Sequence, residues 1–144
     1  MDRRPILLVE DNPDDVELTL HALKENSIAN EVVIARDGSE AIDIIFGDSG
    51  NGSTVRGLRP SLILLDLKLP GLTGFDVLKR IREDELTRLI PVVILTSSRE
   101  HLDLMKAYQL GANSYVRKPV DFEQFLTAIQ QLGAYWLALN EPVT

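Results

Sequence analysis

The stretch Leu62-Ile63-Leu64-Leu65-Asp66-Leu67-Lys68-Leu69-Pro70-Gly71-Leu72-Thr73-Gly74 decides how the chain is read. Four apolar residues in succession, without the alternation of a half-solvated strand, describe a β-strand covered on both faces. A carboxylate closes that strand, and Pro70-Gly71 supplies a turn beyond it. Strands of this kind belong to parallel sheets layered between helices, whose ligands bind beyond the C-terminal strand ends. Asp66 therefore stands where such a sheet does its chemistry.

Working outward, similar runs appear at Ile6-Leu7-Leu8-Val9, Val32-Val33-Ile34-Ala35, Val92-Val93-Ile94-Leu95 and Tyr115-Val116. Between them lie stripes of helical period: Val16, Leu20 and Leu23; Val77, Leu78 and Ile81; Leu102, Met105 and Leu110; Phe125, Ile129, Leu132 and Trp136. All four read as core faces. Helix starts are marked by side chains able to accept from free backbone N–H groups: Asn12 before Pro13, Asp37 with Glu40, Ser97 with Glu100, and Asp121 with Gln124. Strand then helix, five times over, predicts a three-layered α/β fold with a parallel sheet. The turn-forming residues from Gly47 to Arg59 predict a mobile loop within that domain.

At 144 residues, 1–144 is expected to be a single domain with no output domain of its own. The net charge of −7 repels nucleic-acid backbones, so nucleic-acid binding is not expected. The absence of cysteine excludes disulfides, thiolate metal sites and thiol nucleophiles. Ile6-Leu7-Leu8-Val9 is too short for a signal-peptide core or a membrane span, and the expected location is cytoplasmic, away from membranes. No phosphate-binding Gly-rich pattern with Lys and Ser or Thr is present.

The other strand ends carry Glu10-Asp11, Thr96-Ser97 and, after the fifth run, Lys118-Pro119. Glu10, Asp11 and Asp66 gathered at one sheet edge would raise one another's pKa values unless a hard divalent cation sat among them. Carboxylates and waters suit Mg²⁺, or Mn²⁺ in its place. A carboxylate fixed beside a metal and a cation can attack phosphorus and form an acyl phosphate, which makes Asp66 the candidate nucleophile. Lys118 could neutralise phosphoryl oxygens and Thr96 could donate to one of them. Singly, each has a plainer reading: a solvated acid or helix cap, a surface lysine, a strand-favouring threonine.

Taken together, Glu10-Asp11, Asp66 with Pro70 and Gly74 four and eight residues on, Thr96 thirty residues after Asp66, and Tyr115 three residues before Lys118-Pro119 resemble the receiver domain of two-component response regulators. That resemblance implies a flavodoxin-like (βα)5 fold of strand order 2-1-3-4-5 and phosphorylation of Asp66 by a sensor histidine kinase. It implies Mg²⁺ held by Asp11, Asp66 and the backbone carbonyl of Lys68, with Glu10 acting through water. It also implies Thr96 and Tyr115 as the switch pair, a changing α4-β5-α5 surface, and a cis Lys118-Pro119 bond. Activity would be confined to Mg²⁺-dependent self-phosphorylation and autodephosphorylation, without enzymatic turnover of a separate substrate. Ser97 departs from the family, which more often has Ala there. Val9-Glu10-Asp11-Asn12-Pro13 with Asp15-Val16, the Gly/Ser loop, Ser114 to Asp121 and Tyr135-Trp136-Leu137 resemble stand-alone regulators associated with bacterial phytochromes, implying a phytochrome kinase as partner.

Three rival readings stand beside it. A phosphatase or phosphotransferase using Asp66 on metabolites would need a second acid and a cap over its substrate. A flavodoxin would place a flavin phosphate against these carboxylates, which would repel it. A pseudo-receiver would not need the intact Asp66, Thr96 and Lys118 set. His21 and His101 have no ligand partner at metal spacing and read as surface or boundary residues. Lys68, two residues past Asp66, could pair with a phosphoryl group and prolong its lifetime. Finally, Phe122, Phe125, Leu126, Ile129, Leu132, Tyr135, Trp136, Leu137 and Leu139 exceed one helical stripe, which predicts a homodimer through the last helix.

Overall fold

In the computed structural model, residues 4–26, 28–47, 57–118 and 121–142 are described. The apolar runs form β1 (Ile6–Val9), β2 (Val32–Ala35), β3 (Leu62–Leu65), β4 (Val92–Thr96) and β5 (Ser114–Arg117). They alternate with α1 (Pro13–Glu25), α2 (Gly38–Phe46), α3 (Gly74–Glu83), α4 (His101–Gln109) and α5 (Phe122–Gly133). All pairings are parallel, and the sheet order is β2-β1-β3-β4-β5. The flavodoxin-like order is thus the one observed.

Successive strand residues point to opposite faces, so each continuous run feeds two cores. Leu7, Val9, Ile63, Leu65, Val92 and Ile94 pack with Ala41, Ile45, Val77, Leu78, Ile81 and Ala107, from α2, α3 and α4. Ile6, Leu8, Leu62, Leu64, Val93 and Leu95 pack with Val16, Leu23, Phe125 and Ile129, from α1 and α5. Burying each of the Val, Leu, Ile and Phe side chains among them contributes about 1.5–3 kcal/mol. β1, β3 and β4 are wholly buried, whereas β2 and β5 lie at the sheet edges and are mostly half-buried.

Asn12, Asp37 and Asp121 cap α1, α2 and α5 through their side chains, as their sequence positions predict. Ser97 does not cap α4. That helix starts at His101, after Glu100, which makes no side-chain cap. Thr73 and Asp76 instead form a reciprocal capping box on α3, a pattern unmarked in the sequence reading.

The α4 stripe is also corrected. Leu102 and Met105 are exposed, and the buried residue of this helix is Ala107. Leu104 is half-buried, and Leu110, just past the helix, packs partly buried against the core as the stripe predicts.

Behind α3, the Arg82 guanidinium donates to the carbonyls of Gly111, Arg88 and Ile90 and to Asn113 Oδ1, at 2.7–3.0 Å. This ties the turns entering β4 and β5 together. In front of it, Gly74 sits so close to β3 that a Cβ there would lie 2.1 Å from the Asp66 carbonyl oxygen. The Gly74 N–H donates to the Leu67 carbonyl at 2.9 Å.

Past α5 the chain continues as a π-helical segment, Ala134–Leu139, with a bond from Asn140 N–H to the Tyr135 carbonyl. This segment returns Leu137 to the core and leaves Trp136 half-buried against it, so these two do not form a free surface. Phe122, Tyr135 and Leu139 remain exposed. Most of the predicted 47–59 loop and the Lys118-Pro119 peptide bond lie outside the described residues.

Candidate functional site

Parallel register sets the site. Val9 pairs with Leu65, so Glu10 and Asp66 leave adjacent strands side by side. The Lys118 N–H donates to the Thr96 carbonyl at 2.7 Å, which brings the end of β5 level with the end of β4. Four strand ends therefore meet at one edge of the sheet.

Asp66 is 7% exposed. Its Oδ1 accepts from the N–H groups of Leu67 at 2.7 Å and Lys68 at 3.4 Å, and its Oδ2 accepts from Lys118 Nζ at 3.1 Å. The carboxylate is thus held rigid while remaining reachable from solvent. Carboxylate oxygens of Glu10, Asp11 and Asp66 lie within 4.8 Å of one another. Glu10 is buried and Asp11 exposed.

Lys118 binds three carboxylates: Glu10 Oε1, Asp15 Oδ2 at 2.8 Å and Asp66 Oδ2 at 3.1 Å. One ammonium cannot neutralise so many acids. Burial above all, with repulsion from Asp66, pushes the Glu10 carboxyl up to about 7, against the opposing pull of Lys118. The acids in turn hold the Lys118 pKa above its ordinary value despite burial. The Lys118 displacement, and the smaller Asp66 contribution at Glu10, express a local excess of negative charge. A divalent cation among all-oxygen donors would relieve it, so the residues fit such an ion.

Thr96 is fully buried at the end of β4, and its Oγ1 accepts from the Ser98 N–H at 3.3 Å. Among the described residues nothing accepts the Thr96 proton. Tyr115, paired with Ile94 in the sheet, turns its hydroxyl inward, where it is buried without a hydrogen-bond partner among the described residues. Burial raises its pKa. Its ring lies 6.4 Å from that of Tyr108 on α4.

The structure therefore brings Glu10, Asp11, Asp66 and Lys118 together, with Thr96 and Tyr115 on the adjoining strands. The Lys68 side chain is exposed. Two features escaped sequence reasoning. Asp15 reads as an ordinary acid in the first turn of α1, yet it reaches across to Lys118. Ser98, buried, donates to Asp103 Oδ2 at 2.6 Å. His21 is exposed, 5.6 Å ring to ring from Phe122, and His101 is also exposed. A cavity of about 470 Å³ opens at the opposite end of the sheet, near Arg59, Pro60, Pro91 and Trp136. It shares no residue with the carboxylate cluster.

The response regulator receiver domain model matches residues 6–130. The chain belongs to this family. Receiver domains are the phosphoaccepting domains of two-component response regulators. Response regulator Rcp1 of Synechocystis is 36% identical over 132 residues, covering 92% of this chain and 88% of that protein. A Mn²⁺-bound form of Rcp1 has been solved, with a TM-score of 0.87, 33% identity and coverage of 98% and 99% of the two chains. The phosphorylated cyanobacterial phytochrome response regulator RcpA superposes with a TM-score of 0.89 at 34% identity, covering 99% of this chain and all of that one. The bacteriophytochrome response regulator AtBRR is 52% identical, with a TM-score of 0.72 and coverage of 98% and 100%. No helix among the described residues of this receiver is long and apolar enough to cross a membrane.

Proposed function

We propose that Asp66 is the phosphoacceptor of this receiver and that its donor is the phosphohistidine of a phytochrome-linked sensor kinase. The observation that carries the reading is the Asp66 carboxylate fixed by backbone N–H groups on one oxygen and by Lys118 on the other. An Asp66 oxygen attacks phosphorus as the P–N bond breaks, and the departing electron pair returns to the donor imidazole, which takes up a proton. Lys118 balances charge on the phosphoryl oxygens, and Thr96 offers them its uncommitted proton. Asp11, Asp66 and the Lys68 carbonyl would hold Mg²⁺, which Mn²⁺ can replace, with Glu10 reaching it through water; bound there, the ion neutralises phosphoryl charge.

The phytochrome assignment draws on the relatives, since RcpA and AtBRR are described as phytochrome response regulators. Incubation with acetyl phosphate and Mg²⁺, followed by mass mapping, is expected to place one phosphoryl group on Asp66 and none on Asp66→Asn. Undiminished labelling of that variant would exclude the assignment. Faster transfer from phytochrome kinases than from unrelated kinases would support the partner.

Thr96 and Tyr115 act as the switch. When Thr96 turns towards the phosphoryl group, the space beside it holds Tyr115 in the inward position it takes in this structure, and phosphorylation biases a two-state equilibrium that α4, β5 and α5 display at the surface. Lys68, exposed beside Asp66, prolongs the phosphorylated state by crowding the line of water attack; Lys68→Asn is expected to shorten its lifetime, and an unchanged lifetime would exclude that role. The exposed Phe122, Tyr135 and Leu139 support a homodimer through the last helix.

A further inference from the structure

Asp15 lies outside the carboxylate set that fits a metal ion, yet it takes one of the three N–H donors of Lys118. Its place is fixed from both sides. Asn12 Oδ1 accepts from its N–H at 3.2 Å, and its carbonyl accepts from Thr19 Oγ1 at 2.8 Å. The Asp15 side chain is 29% exposed, and the Lys118 side chain is 8% exposed. An acid in the first turn of a helix needs no partner beyond the helix dipole. This one instead spans from α1 to the end of β5.

With Glu10, Asp15 and Asp66 each accepting from it, Lys118 has no donor left over. A phosphoryl oxygen can therefore gain a Lys118 N–H only by displacing a carboxylate. Acylation makes the Asp66 oxygens weaker acceptors, and that donor passes to the phosphoryl group without loss. The Asp15 bond is unaffected by acylation, so it continues to draw the ammonium towards α1.

We infer that Asp15 is a positioning residue which restrains Lys118 and weakens its hold on the phosphoryl group. The inference rests on Asp66 being the phosphoacceptor. Asp15→Asn keeps the side-chain shape but gives Lys118 a weaker, neutral acceptor. Lys118 then turns more fully to the phosphoryl oxygens.

The test is the affinity of beryllofluoride, a phosphoryl mimic that binds the acceptor carboxylate, measured at Mg²⁺ concentrations that saturate each variant. Asp15→Asn is expected to bind it about tenfold more tightly than wild type, the scale of one charge-assisted hydrogen bond. In a Lys118→Met background the same substitution should change nothing, because Asp15 acts through the ammonium. Equal or weaker binding by Asp15→Asn would overturn the inference. So would a gain that persists without Lys118, which would be a general charge effect. Wild-type protein that binds no beryllofluoride, or an Asp66→Asn variant that binds it equally well, would instead remove the phosphoacceptor reading beneath it.

Discussion

Ser98 donates its hydroxyl proton to Asp103 Oδ2 at 2.6 Å, bridging the turn from β4 to the first residues of α4. Ser98 Oγ in turn accepts from the Glu100 N–H at 3.3 Å, and the Ser98 N–H donates to Thr96 Oγ1 at 3.3 Å. Since α4 has no side-chain cap of the usual kind, this residue does the work of one while also orienting the Thr96 hydroxyl. Ser98→Ala is expected to destabilise the protein by about 1–2 kcal/mol and to speed amide exchange at the start of α4. Denaturant unfolding and hydrogen exchange would check both.

The Tyr115 hydroxyl is buried with no partner among the described residues. Ser98 lies close enough to counter slightly the rise in its pKa, but no bond of adequate geometry joins them. An unsatisfied polar group costs stability, so Tyr115→Phe is expected to raise unfolding stability by about 1 kcal/mol. A loss of stability would show that the hydroxyl is satisfied in solution. Tyr115→Ala should still accept phosphate and lose the phosphorylation-dependent surface change, as read from the NMR shifts of α4.

Glu10 sets a pH dependence. Its folded pKa is about 7 and its ordinary value 4.5, so its protonated form favours the folded state. That contribution is complete below about 4.5 and disappears as pH rises through about 7. Thermal unfolding of the metal-free protein should therefore show stability falling between pH 5 and 8, by on the order of 2–3 kcal/mol. Glu10→Gln should flatten that fall. For the same reason Mg²⁺ affinity should rise over this range, since the ion must displace a proton.

The C-terminal segment carries both core and exposed apolar side chains. Leu137→Ala removes a buried side chain and is expected to cost about 2–5 kcal/mol. Leu139→Ser changes one that is 75% exposed and should leave monomer stability within about 0.5 kcal/mol. If the homodimer forms through this helix, Leu139→Ser with Tyr135→Ser should weaken it in sedimentation. A wild type that remains monomeric at high micromolar concentration, phosphorylated or not, would exclude the dimer.

The three central strands were legible because both their faces are buried, which leaves unbroken apolar runs such as Leu62 to Leu65. Their order was not legible from periodicity, since pairing depends on where each crossover lands. The α4 stripe failed for a related reason. Leu102 and Met105 have helical spacing, but period alone does not say which face meets the sheet, and Ala107 carries too little apolar weight to reveal it. Ser97 and Glu100 have cap spacing, yet the neighbouring Ser98 is committed to Asp103 and helix begins only at His101. At the site, Asp66, Glu10, Asp11, Thr96 and Lys118 stood out because each ends or follows a strand. The Asp15–Lys118 bond did not, because it depends on how α1 is rotated over the sheet, information that lies in packing between residues 103 positions apart.

The close approach of Gly74 to the Asp66 carbonyl has a mechanical consequence. Backbone rests on backbone there, with no side chain between to compress or rotate, so the start of α3 and the end of β3 form one stiff unit. On the proposed phosphorylation of Asp66, a displacement could not be taken up on that side. It would pass towards β4 and β5, where the Thr96 hydroxyl and the Tyr115 ring can turn, which would give the signal a direction before any partner is bound.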